Sequence, residues 1–128
     1  MKYVWKLDDV KPGEHSKEMG HYGGTGWRLI NKKTVGSEAV RIHYSVYPPG
    51  SYTEGHPPHD DREQVYYIIS GTMSLKIGGE EHKVPPGAFV YVPRGVEHNH
   101  RNDGPEDLIF ITVNSLVRSG EVPPLPKR

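Results

Sequence analysis

The chain contains no cysteine. That excludes a disulfide framework, a thiolate metal site and a cysteine nucleophile. Charge of either sign in excess is also missing, since 16 Lys and Arg balance 16 Asp and Glu. A neutral chain has no electrostatic footprint for nucleic acid or an anionic membrane, and neither is expected as a partner. Apolar runs are short, Val65–Ile69 and Ala88–Val92 being among the longest, against the ~20 residues that a membrane helix needs. The opening MKYVWKLDDVK lacks the apolar stretch of a secretory signal, which points to a cytoplasmic protein. Windows of ten or more residues free of Gly and Pro, the raw material of helices, are scarce. Three residue types are abundant instead: 15 Gly, 12 Pro and eight His in 128 residues. That length suits one domain, expected to span residues 1–128.

The glycines and prolines are spaced between short runs of strand composition. These runs are Gly26–Thr34, Ala39–Tyr47, Gln64–Ser70, Thr72–Ile77, Glu81–Val84, Ala88–Val92, Val96–Arg101 and Leu108–Val113. Breakers such as Pro48-Pro49-Gly50, Pro85-Pro86-Gly87 and Pro93-Arg94-Gly95 separate them. Gly78-Gly79 between SLKI and EEHKV predicts a two-residue hairpin, because primed turns require positive φ. Short strands at about ten-residue spacing indicate an all-β sandwich or closed barrel. Tyr3–Lys6 is a candidate edge strand, and Glu121–Arg128 reads as an extended or disordered arm.

Imidazole, amide and carboxylate groups concentrate in Gly50–Gly71 and Gly87–Asn102. The second segment, GAFVYVPRGVEHNHRN, fits G-x5-P-x-G-x2-H-x3-N through Gly87, Pro93, Gly95, His98 and Asn102. Here the chain resembles the cupin superfamily, over about residues 38–114. The first segment follows that family's other motif, G-x5-H-x-H-x(3,4)-E-x6-G, with two departures. The resemblance implies a small jelly-roll β-barrel with a divalent ion held inside by side chains from both motifs. By the same resemblance, small cupins are often homodimers; an unpaired edge such as Tyr3–Lys6 would extend a partner's sheet.

The histidine pair departs first: His56-Pro57-Pro58-His59 stands where the family has His-x-His. Two prolines impose polyproline II geometry, which turns once in three residues, so His56 and His59 can still point the same way. The acid position departs second. Six residues before Gly71 stands Gln64, whereas Glu63 is one residue too early. Strand parity admits only one of them to the interior. With Gln64 inside, Tyr66 and Ile68 are inside too, while Glu63, Val65 and Tyr67 face out. Hydrophobicity does not arbitrate, and motif spacing favours Gln64. The resulting pattern resembles cupins that use glutamine as a ligand, among them uronate ring-opening enzymes and polyketide cyclases. The implied ligands are His56, His59, Gln64 and His98. Zinc, nickel, iron(II) and manganese all suit three nitrogens and an oxygen.

A glutamine oxygen is neutral, so such a site keeps the ion's full double charge and favours Lewis-acid chemistry over oxidation. That supports isomerisation, ring opening, cyclisation or elimination on a small oxygenated molecule. Tyr66 is either a proton donor or barrel packing. His100, on the face of His98, is a proton shuttle, a fifth ligand or a pocket wall. His15, His21, His43 and His82 show no partner spacing and are expected at the surface. Uronate ring-opening cupins carry Asp-x-Phe-x3-Arg near the last strand; Thr112–Arg118 keeps the arginine but neither the acid nor the phenylalanine. The ligand resemblance therefore carries over and the uronate substrate does not. Two further readings stand beside the redox-neutral enzyme. They are an iron dioxygenase using Glu63, and a non-catalytic small-molecule-binding module.

Overall fold

The computed structural model describes residues 1–117; the predicted C-terminal arm and Arg118 lie outside the described residues. Eleven strands follow in chain order: β1 (Gly13–Glu14), β2 (His21–Tyr22), β3 (Thr25–Ile30), β4 (Val40–Tyr47), β5 (Tyr52–Thr53) and β6 (Arg62–Ser70), then β7 (Met73–Ile77), β8 (Glu80–Val84), β9 (Phe89–Val92), β10 (His98–Arg101) and β11 (Leu108–Leu116). Two antiparallel sheets, ordered β1-β3-β4-β11-β6-β9 and β2-β5-β10-β7-β8, form a jelly-roll β-barrel. The predicted hairpin joins β7 to β8. Ile77 pairs with Glu80 across Gly78 and Gly79, whose φ values of 56° and 85° are those a primed turn needs.

One set of alternate side chains on each strand points into the barrel. Along β11 these are Leu108, Phe110, Thr112 and Asn114; along β6 they are Ile68, Tyr66 and Gln64. The inward face thus changes from apolar to polar along each strand. Ile68, Met73, Leu75, Leu108 and Phe110 pack one end as the core. The polar end is left as a cavity.

The segment Tyr3–Lys6 is not a strand. Its bonds are local: the Trp5 indole donates to the Lys2 carbonyl, and the Lys6 amide donates to the Asp9 carboxylate at the start of a 3₁₀ turn, Leu7–Asp9. Such side-chain-to-backbone bonds compete with a sheet ladder. The sheet edge beside β3 is taken by β1 instead. A homodimer built on Tyr3–Lys6 therefore lacks its strand.

Candidate metal centre and cavity

The cavity has a volume of about 160 Å³, room for about five waters at liquid density. The inward residues of β4, β6, β10 and β11 wall it, and no Asp or Glu lines it among the described residues.

His56, His59 and His98 meet at this cavity, each offering a ligand nitrogen within 4.8 Å of the others. His56 and His59 stand at either end of Pro57-Pro58, in neither helix nor strand. Their rings are 5.0 Å apart, and lie 5.7 and 5.8 Å from that of His98. Spacing by three residues has brought the pair together. Nδ1 of His56 lies 3.0 Å from the Pro57 carbonyl, and Nδ1 of His98 lies 3.0 Å from the Val96 carbonyl. A carbonyl only accepts, so each Nδ1 carries the proton and each Nε2 keeps its lone pair. Burial lowers the proton affinity of all three imidazoles, His59 down to about 4. These are features a divalent ion requires of histidine ligands: neutral rings with ligand atoms close together and, at His56 and His98, a fixed tautomer. The three-histidine group could hold such an ion.

Gln64 faces the cavity and is 8% exposed. Glu63 lies on the outer face, where its carboxylate accepts a hydrogen bond from the Tyr91 hydroxyl. Parity has placed the amide inside and the acid outside. Asn114, the register partner of Gln64 on β11, fixes the amide by accepting from its Nε2 at 2.8 Å. The carbonyl Oε1 is thereby left for another partner; the Tyr66 hydroxyl donates to it only at 3.5 Å.

Tyr66 and His100 are both buried in the cavity wall, their rings 6.1 Å apart. Burial raises the Tyr66 phenol well above its usual range and lowers His100 to about 3, so both are uncharged near neutrality. His100 Nδ1 is buried without a hydrogen-bond partner among the described residues.

Three of the histidines expected at the surface are not there. His15, His21 and His43 are half-buried and line the cavity; only His82 is exposed. Burial lowers His15 and His43 to about 4 and His21 to about 3. The Nε2 of His15 lies 3.2 Å from the Ser45 hydroxyl, and Nδ1 of His21 lies 2.9 Å from the Tyr47 hydroxyl. The N-terminal segment brings both rings over the barrel. The reason is glycine: a Cβ at Gly26 would lie 2.5 Å from the His15 ring, and one at Gly24 would lie 2.5 Å from the Tyr47 ring. His43 was recoverable from β4, where it alternates with Ser45 and Tyr47 on the inner face. Arg28 and Asn114, also in the wall, carried no motif signal.

Comparison with known proteins agrees with this architecture. The chain is 25% identical to an oxalate-binding protein of Thermotoga maritima over 112 residues, covering 88% of this chain and 86% of that one. It superposes on a crystal structure described as a predicted oxalate decarboxylase from the same organism with a TM-score of 0.79 and 25% identity, covering 90% of this chain and 100% of that one. The polyketide cyclase RemF of Streptomyces resistomycificus gives a TM-score of 0.73 and 28% identity over 90% of this chain and 79% of that one. A family model described as the cupin domain matches residues 43–114, more than half of the sequence. The barrel, the histidine group and this match together place the chain in the cupin family.

Proposed function

We propose that the protein is a metal-dependent enzyme of redox-neutral chemistry, catalysing isomerisation, ring opening, cyclisation or elimination on a small oxygenated molecule such as a sugar acid or a polyketide. The observation that carries this reading is the neutral amide of Gln64, held by Asn114 in the cavity of the three-histidine group, which no carboxylate lines among the described residues. In the proposal His56, His59, His98 and Gln64 are the ligands. A divalent ion, when bound by four neutral groups, supplies a Lewis acid of undiminished charge. Tyr66 and His100 are the proton-transfer groups, each holding an uncharged N–H or O–H at the cavity wall. The likeness to a polyketide cyclase supports the reading at the level of reaction class. The dioxygenase alternative draws on Glu63, whose bond to Tyr91 on the outer face leaves it little support. The likeness to an oxalate-binding protein favours a second reading, a small-molecule-binding module without turnover.

Metal content after zinc loading and dialysis tests the ligand set. Gln64→Ala and His98→Ala should lose most of the ion, His98→Ala at least as much, because imidazole is the stronger ligand. Glu63→Ala should keep it. The opposite result for Gln64→Ala and Glu63→Ala would sink the redox-neutral argument and restore the dioxygenase. Gln64→Glu should retain the ion but lower turnover on any substrate found, since an anionic ligand reduces the charge that the substrate meets.

A further inference from the structure

The cavity is furnished one-sidedly. The chain has 16 acidic residues, yet none lines the cavity among the described residues, whereas two arginines do. Arg62 is already answered: its Nε and Nη2 donate to the Asp61 carboxylate at 2.9 and 3.1 Å. Arg28 forms no ion pair among the described residues and stands at the exposed end of the wall. Its position follows from register. Arg28 pairs with His43, His43 with Thr112, and Thr112 with Tyr66, giving one polar row across β3, β4, β11 and β6. Three strand spacings, about 14 Å of sheet, separate the guanidinium's strand from that of Gln64 and Tyr66. His100 adds an independent sign of a missing ligand: it is 5% exposed, and its Nδ1 has no hydrogen-bond partner among the described residues.

We propose that Arg28 makes this wall an anion-selecting subsite, so that the molecule taken up is a small organic acid bound through its carboxylate. A guanidinium offers the planar, paired donors that a carboxylate accepts, and the absence of wall carboxylates removes the repulsion that would otherwise oppose entry. An unpaired cation at an open mouth also steers anions inward. The proposal rests on the enzyme reading for its catalytic meaning, but binding can be tested with or without the ion.

The probes are malonate and its neutral counterpart malonamide, titrated calorimetrically into zinc-loaded and metal-free protein with zinc content measured in parallel. The wild-type protein should bind malonate, and Arg28→Gln should weaken that binding by about tenfold or more while leaving zinc content unchanged. Arg28→Lys should recover part of the loss, because it restores charge without the paired geometry. Malonamide binding should not respond to either substitution. Malonate affinity within twofold of wild type in Arg28→Gln, or no malonate binding by the wild type, overturns the subsite. Wild-type protein that takes up no zinc but still shows the Arg28 effect would sink the metal reading and leave the subsite standing. Normal zinc uptake without an Arg28 effect would do the reverse.

Discussion

The side chain of Asn102 closes three hydrogen bonds at once. Its Nδ2 donates to the carbonyls of Tyr47 and Glu106, both at 2.7 Å, and its Oδ1 accepts from the Gly104 amide at 3.0 Å. Its backbone adds two more, to Ser51 and from Gly50. One fully buried residue therefore ties the end of β4 and the loop before β11 to the strand that carries His98 and His100. Asn102→Ala leaves the buried Tyr47 carbonyl, and the part-buried Glu106 carbonyl and Gly104 amide, without this partner, at about 1–3 kcal/mol for each group that water does not reach. The expected loss is about 3 kcal/mol of stability, read as a lower urea midpoint with an unchanged slope. Asn102 was visible in the sequence as a motif position, but its role as a clamp was not. The same holds for Gln64. Spacing from Gly71 singled it out, whereas the bond that orients it comes from Asn114, 50 residues away. A contact of that range leaves no local pattern.

Between β1 and β3 the chain passes close over the barrel and delivers His15 and His21 to the cavity. Gly26 is the point of closest approach. A methyl group there would stand 2.5 Å from Cε1 of His15, a ring already held against Ser45. Gly26→Ala should destabilise the protein by about 1–3 kcal/mol through overpacking. His15→Ala removes the obstructing ring, so the double variant should be less destabilised than the sum of the single changes. Additive losses in urea unfolding would mean that the ring is not the obstacle. The long strands were legible because they alternate over five to nine residues between clear breakers; β6, β7 and β11 fall within a few residues of expectation. The pairs β1, β2 and β5, at two residues each, are too short for any alternation to register. In β4 the alternation is present, but hydrophobicity does not say which set faces in. Val40, Ile42, Tyr44 and Val46 form the more apolar set, yet Arg41, His43, Ser45 and Tyr47 alternate with them, and the last three of these face the cavity. A barrel with a polar end inverts the usual rule that the apolar face is the inner one.

Across the whole molecule the histidines amount to a store of unprotonated bases. Burial is the first cause in each case, and it holds His15, His43 and His59 down to about 4 and His21 and His100 to about 3. In the unfolded chain the same groups titrate near 6.5. Well above 6.5 neither state binds an appreciable share of a proton at these rings, and stability hardly depends on them. Between 6.5 and about 4 the unfolded chain binds protons that the folded one refuses, so stability falls as pH falls. Once the pH is below the folded values, the loss is complete. The melting temperature of metal-free protein should accordingly be flat from pH 8 to 7 and drop steeply from 6.5 to 4. His43 offers the cleanest control, being on β4 and outside the three-histidine group. His43→Gln should flatten the pH slope by about one proton's share, and do so without changing zinc uptake. Zinc-loaded protein should melt higher than metal-free protein above pH 6.5, because an ion that binds only the folded state stabilises it. That advantage should vanish as the pH falls, since protons compete for the ligand nitrogens. A melting temperature indifferent to pH between 6.5 and 4 in the metal-free protein would mean that the rings are hydrated, and the cavity walls more open, than this packing describes.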